Sequence, residues 1–289
     1  MAYIQHLLIL VALYGMLAIS LAISSGYTKL ISLAHAGFCA VGAYTSAILC
    51  TRFGFDFLWT LPLAMSISCL MALPVALLSK KTVDDYFIIC TMGVSVIITS
   101  LLTNLATITN GPLGIVAIPA PILFGRPIQS KGEWLVVVLV AYGALSWIVH
   151  NLQRSSFGRL LLAIGEDQIF CESLGKNVNQ AKLQSFLLGA SLAAIPGCFY
   201  AAYTSYIDPS SFGLNDSIML LSILILAGMG QTSKILPAVC LFVFLPEALR
   251  FIGIPGSVAG NLRQALFGII LLLVIWFQSS TTISKGPTC

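Results

Sequence analysis

Charge is what this chain most lacks. Only 8% of its 289 residues are Asp, Glu, Lys or Arg, against 58% hydrophobic residues and a mean hydropathy of +0.99. A soluble domain averages about 25% charged residues. A chain so poor in charge could not cover its surface for water, so its solvent must be largely lipid. The useful unit of length is then the membrane span, at about 20 apolar residues each.

Other absences narrow the chemistry. Three histidines argue against a His-based zinc site. The eight cysteines are scattered through apolar runs with no C-x-x-C pair, and they read as small apolar packers. No Lys/Arg run points to nucleic acid. The phosphate-binding G-x-x-x-x-G-K-[ST] pattern is missing, since Gly175-Lys176 lacks the upstream glycine and is followed by Asn177. The chain should therefore not hydrolyse ATP by itself. Neither G-x-S-x-G nor H-E-x-x-H occurs. No basic residue precedes Lys29, and the first apolar run is too long for the core of a signal peptide, so it reads as a first helix.

What remains is a series of apolar runs at residues 3–24, 30–50, 57–79, 86–108, 133–152, 183–204, 217–230, 235–252 and 262–277. They predict an all-α polytopic membrane helix bundle of about nine transmembrane helices (eight to ten), in a single domain over residues 1–289. The seventh run is short and ends in Ala227-Gly228-Met229-Gly230, the pattern of a broken or re-entrant segment. With nine spans, Lys29, Lys80, Lys81, Arg154, Arg159, Lys176, Lys182, Lys234 and Lys285 fall on one side. Arg52, Arg126, Lys131, Arg250 and Arg263 fall on the other. The positive-inside rule places the first set in the cytoplasm, with the N-terminus outside and the C-terminus inside.

Two connections are long. Residues 109–132 are rich in Pro and Gly and read as an ordered or gating external loop. Residues 153–182 carry Arg154, Arg159, Glu166, Asp167, Glu172, Lys176 and Lys182 on the cytoplasmic side. Within them, residues 166–175 have a short helical pattern with Ile169, Phe170, Ser173 and Leu174 on one face and Gly175 as its stop. The plain reading is a solvated surface helix; the sharper one is a helix that docks on a cytoplasmic partner. Charge is nearly absent from span centres. Glu247, beside Pro246 and one turn from Arg250, is the main exception and reads as a structural pair or a transport group. In the small-residue run Ala34 to Ala43, His35 could hydrogen-bond across helices or meet substrate. Tyr44 and Asn104 are weaker candidates of the same kind.

Four stretches together resemble a known family. They are Ser32-Leu33-Ala34-His35-Ala36-Gly37-Phe38 continuing to Gly42-Ala43-Tyr44; Asp85-Tyr86-Phe87-Ile88 and Thr91-Met92-Gly93, with Asn110-Gly111-Pro112-Leu113-Gly114-Ile115 beyond; Ser156-Phe157-Gly158-Arg159, Ala163-Ile164, Glu166-Asp167 and Glu172-Ser173-Leu174-Gly175; and Leu262-Arg263-Gln264-Ala265-Leu266-Phe267-Gly268. In this order the chain is similar to permease subunits of bacterial ATP-binding-cassette importers, of the high-affinity leucine/isoleucine/valine permease M type, from about residue 10 to 277. The resemblance implies a pathway subunit for branched-chain or other hydrophobic amino acids in the bacterial inner membrane. It implies two cytoplasmic ATPase subunits, a sister permease and an extracytoplasmic solute-binding protein, with ATP used by the partners and no cofactor on this chain. It makes 153–182 the coupling loop and Arg159, Glu166, Asp167, Glu172 and Gly175 the docking residues. Many relatives carry a basic residue where Gly165 stands and small residues where Phe170-Cys171 stand, which implies a bulkier docking face here. The glycine-rich stretch after the seventh run is also thinner than usual. A urea or short-amide permease of the same family is an alternative; a self-contained carrier or channel is the competing class.

Overall fold

The computed structural model describes residues 2–79, 84–123, 126–128, 130–250, 268, 269 and 272. The ninth apolar run falls almost wholly outside them. Within them the chain is a helical bundle built from α1 (Ala2–Leu21), α2 (His35–Arg52), α3 (Phe57–Leu78), α4 (Asp84–Asn104), α5 (Ala106–Thr109), α6 (Lys131–Arg154), α7 (Ser156–Glu166), α8 (Gln168–Ser173), α9 (Val178–Thr204), α10 (Leu214–Ala227) and α11 (Ile235–Arg250). Six segments among the described residues are long and apolar enough to cross a membrane: Ala2–Gly26, Phe57–Leu78, Asp85–Asn104, Lys131–Arg154, Val178–Thr204 and Pro209–Ala227.

The bundle is organised around α2 and α9, which approach until their backbones touch. A Cβ on Gly42 would lie 2.5 Å from the Cα of Ala194, and one on Gly197 would lie 2.1 Å from the Cys39 carbonyl oxygen. Only small residues permit such contact, and dispersion and packing hold it where lipid supplies no hydrophobic drive. The third helix lies across this pair, where Ser68 Oγ donates to the Ala190 carbonyl at 2.8 Å. Phe38, Phe87 and Phe186 meet edge to face beside it. Outside the core, α3, α4 and α6 turn Leu70, Ile89, Val140 and Trp147 outward, the side chains expected against lipid.

Two of the expected spans have helix limits that differ from their apolar runs. The first helix closes with a π-helical turn, Ala22–Gly26, and residues 27–34 then run irregularly back into the bundle. The second helix therefore starts at His35, not at Leu30 as the apolar run suggests. That irregular stretch is buried, so its backbone groups need partners. Serine and threonine side chains supply them: Ser25 Oγ donates to Leu30 O and accepts from Ser32 N, Ser32 Oγ accepts from Ala34 N, and Thr91 Oγ1 accepts from Leu33 N. The seventh run, 217–230, breaks at its end, and its helix begins earlier than the run. A 3-10 turn, Pro209–Phe212, is followed by Gly213 and then α10, which stops at Gly228 with φ +86°.

At the far end of the bundle from α7 and α8, the described residues of the long loop 109–132 form two small pairings. β1 (Ile115–Val116) pairs with β4 (Tyr206–Ile207), and β2 (Ile122–Leu123) with β3 (Arg126–Pro127). Asn110, Gly111 and Gly114 all have positive φ, and a Cβ on Gly114 would sit 2.0 Å from the Ile207 carbonyl oxygen. The Asn-Gly-Pro-Leu-Gly stretch is thus a backbone requirement of this junction.

Candidate functional site

The charged connection folds as two helices. The sixth helix turns sharply into α7 at Ser155, whose Oγ caps α7 by accepting from Gly158 N at 3.1 Å. Gly158 has no room for a side chain, since a Cβ would lie 2.1 Å from the Leu152 carbonyl oxygen. The helix pattern read over 166–175 is corrected here. Glu166 closes α7, and Asp167 breaks the chain with extended backbone and caps α8, its Oδ1 accepting from Phe170 N at 2.9 Å. A short polar side chain that bonds the backbone three residues on favours this cap over a helix interior.

The eighth helix is short but tied down. Gln168 Nε2 donates to Glu172 Oε1 at 2.9 Å, and the nearly buried Lys182 at the base of α9 donates to Gln168 Oε1 at 2.8 Å. Its end is a Schellman closure: Lys176 N donates to Cys171 O and Gly175 N to Glu172 O, with Gly175 at φ +73°. Cys171 faces inward, whereas Ile169, Phe170 and Leu174 are 79%, 60% and 62% exposed. These apolar side chains stand among Asp167, Glu172 and Lys176, so they face a polar phase. Exposed apolar faces rimmed by polar residues occur at protein and membrane interaction surfaces. Arg159 is exposed, its Nη1 donating to Arg154 O at 2.7 Å, and Glu166 lies 3.9 Å from Lys29 Nζ.

A second polar group is buried in the bundle centre. His35, 2% exposed, begins α2, and its Nε2 lies 2.8 Å from Ser20 Oγ on α1. The Ser20 hydroxyl also donates to Leu17 O. Its single proton is thereby used, so His35 Nε2 carries the hydrogen and donates. In the next position, Ala36 N donates to Ser217 Oγ of α10 at 3.2 Å. A narrow cleft above this point is walled by Leu13, Leu17 and Phe212 and edged by Tyr14, Tyr200 and Asp216. Asp216 was not among the expected residues. Its signal was the spacing Gly213-x-x-Asp216, because Oδ2 accepts from Gly213 N at 3.1 Å as part of the cap of α10.

The remaining candidates lie apart from both groups. Tyr44 is buried, and its hydroxyl has no hydrogen-bond partner among the described residues. Asn104 is exposed and donates to Ser100 O of its own helix, with no bond to a neighbouring helix among the described residues. Glu247 accepts from Tyr3 Oη. Since Tyr3 is in the first turn of α1, that carboxylate sits at the bundle's end and not at a span centre. Its expected pairing with Arg250 concerns a side chain outside the described residues. All seven described cysteines are free, and no group of His, Cys, Asp or Glu among the described residues could hold a metal ion. At the β1–β4 end, burial would push the Asp208 carboxyl up. Hydrogen bonds from Ser210, Ser211 and the backbone outweigh it and hold the group below its ordinary value.

The family model described as branched-chain amino acid transport system / permease component matches residues 3–275. The chain is 32% identical over 288 residues to the high-affinity branched-chain amino acid transport system permease protein LivM of Salmonella typhimurium, covering 91% of this chain and 66% of the relative. It is 31% identical to the Escherichia coli K12 protein of the same name, covering 92% and 67%. The autoinducer 2 import system permease protein LsrC of Escherichia coli O9:H4 is 27% identical over 173 residues, covering 58% and 47%. The chain thus spans about two thirds of the length of the LivM relatives from these two bacteria. No solved structure matches.

Proposed function

Because the chain belongs to the branched-chain amino acid transport system / permease component family, we propose that it is a membrane-spanning permease subunit of an ATP-binding-cassette importer for branched-chain or other hydrophobic amino acids. The observation that carries the reading beyond family membership is the exposed Ile169, Phe170 and Leu174 face of α8, ringed by charge and anchored through Gln168 to Lys182. This face is the ATPase-docking surface of the coupling loop 153–182, with Arg159, Glu166, Asp167 and Glu172 setting register around it and Gly175 closing the helix.

The chain crosses the bacterial inner membrane nine times. To the six apolar segments are added α2, α11 and the run 262–277. The second helix has 18 residues, about 27 Å at 1.5 Å each. The α7–α8 end faces the cytoplasm, the N-terminus is periplasmic and the C-terminus cytoplasmic. Two ATPase subunits bind and hydrolyse ATP, a sister permease completes the pathway, and a solute-binding protein delivers the ligand. Closure of the ATPases displaces α8, and α7 and α9 carry that displacement to the broken-helix centre at Ser20 and His35. The ATPases must hold α8 with different contact energy in the two states, or no coupling exists.

The test is co-purification of the tagged chain from its own cell, wild type against Ile169→Asp with Phe170→Asp. The wild type is expected to bring down ATPase subunits and a sister permease, and the variant to lose the ATPases while keeping the sister. Wild-type chain that purifies alone and moves solute in liposomes sinks the importer reading in favour of a self-contained carrier or channel. Competition of uptake by leucine against urea then separates the amino-acid reading from its short-amide alternative.

A further inference from the structure

Glycine at 165 is dictated by what it touches. A Cβ there would lie 2.2 Å from the Tyr27 carbonyl oxygen and 3.7 Å from Lys29 Cγ. The last turn of α7 is therefore pressed directly on the backbone of the turn that follows α1. One residue on, Glu166 lies 3.9 Å from Lys29 Nζ. Lys29 itself has φ +55°, a left-handed conformation uncommon outside glycine, asparagine and aspartate. Tyr27 is 1% exposed, so this turn is buried on its inner side and held by α7 on its outer side.

The same turn is joined to the buried polar centre by a short stretch of chain held by side-chain hydrogen bonds. Ser25, Ser32 and Thr91 hold residues 30–34 through the hydrogen bonds already described, and His35 follows at once. A second set of contacts holds the end of α6 and the middle of α7 against the segment after α10. Gln153 donates to Gly230 O at 3.0 Å and accepts from Thr232 Oγ1 at 3.1 Å, and Leu162 of α7 packs against Gly230. The α7 end, the Tyr27–Lys29 turn and the 30–34 stretch thus form one contiguous, close-packed path from the exposed helix to the broken centre. Close-packed elements transmit displacement, whereas a chain with loose links absorbs it.

We infer that Gly165 and Lys29 are positioning residues for energy coupling: through them, movement of α7 and α8 is delivered to the start of α2, in parallel with the direct connection of α8 to α9. This rests on the reading of α8 as the ATPase-docking helix. Gly165→Ala wedges the contact apart from the α7 side. Lys29→Pro, which fixes φ near −65°, dislodges the turn and gives up the Glu166 ion pair while leaving the residues of α7 and α8 unchanged. Lys29→Gly keeps the left-handed turn and removes only an exposed ion pair.

The experiment measures solute molecules moved per ATP hydrolysed by the complete importer in liposomes, with subunit stoichiometry checked by co-purification. Gly165→Ala and Lys29→Pro are expected to assemble with the ATPases and to lower that ratio about tenfold. Lys29→Gly is expected to stay within about twofold of wild type. The inference is overturned if Lys29→Pro keeps the wild-type ratio, or if Gly165→Ala and Lys29→Pro both fail to assemble, since the contact would then serve folding alone. A wild-type preparation without ATPase subunits would instead overturn the importer reading itself.

Discussion

The sixth and ninth helices are both long and apolar, yet they meet different surroundings. In the most apolar window of Val178–Thr204, 72% of residues are buried, against 17% in that of Lys131–Arg154. The ninth helix carries Gly189 and Gly197 against the backbones of α1 and α2, while Gly143 of α6 has nothing within 4 Å of where its Cβ would be. Glycine in α9 is a packing requirement, and in α6 it is an unfilled position. The second helix extends the point. Thirteen of its 18 residues are buried, and its many small and polar residues make it only weakly apolar. Hydropathy therefore does not sort these helices by burial: α2 is central and weakly apolar, whereas Ala2–Gly26 is the most apolar of the six segments and 83% of its most apolar stretch is buried.

The largest expected effect tests that contrast directly. Gly197→Ala places a methyl against the Cys39 carbonyl and should cost about 3 kcal/mol or more, at or beyond the upper end of overpacking penalties. Gly143→Ala should be neutral or gain up to about 1 kcal/mol of helix propensity. Thermal unfolding in detergent, followed by size exclusion, decides it, and equal shifts for the two variants would erase the distinction. A middling effect is expected from the buried pair. Ser20→Ala leaves His35 Nε2–H without its acceptor and should cost about 1–3 kcal/mol. Asn104→Ala, on an exposed surface, should change stability by no more than about 0.5 kcal/mol. A double-mutant cycle of Ser20→Ala with His35→Phe should recover part of the loss.

The smallest effect concerns Asp208. Its carboxyl is held below the ordinary value, so its hydrogen bonds stabilise the fold at every pH above the unfolded value of about 3.9. That contribution is lost as pH falls through the lower folded value. Asp208→Asn should therefore destabilise the β1–β4 end near neutral pH and converge with wild type in acid. Limited proteolysis across a pH series measures it, and a gap that stays constant into acid would count against the assignment.

Much of this was legible in the chain. Long apolar runs mark α1, α3, α4, α6 and α9, because lipid leaves a helix little choice of side chain. The exposed face of α8 was visible from the spacing of Ile169, Phe170 and Leu174, and Gly175 from its place after them. The break at Asp167 was not, since an acid between two helical stretches reads equally as a first-turn residue. Nor was the irregular 27–34 stretch, whose Leu30, Ile31, Leu33 and Ala34 look like any span. Glu247 seemed buried mid-span because its run extends to residue 252, and only the contact with Tyr3 sets its level.

The sequence by itself determined that this chain lives in lipid, that it is helical, and that one charged connection breaks the apolar series. Those follow from solvation, which acts on each segment separately. Only the tertiary structure decided that α2 and α9 form the centre, that serines carry the backbone of residues 27–34, and that Gly165 seats on Tyr27. These depend on which backbones approach within a few ångströms, and such contacts join residues far apart in the chain whose types carry no record of one another.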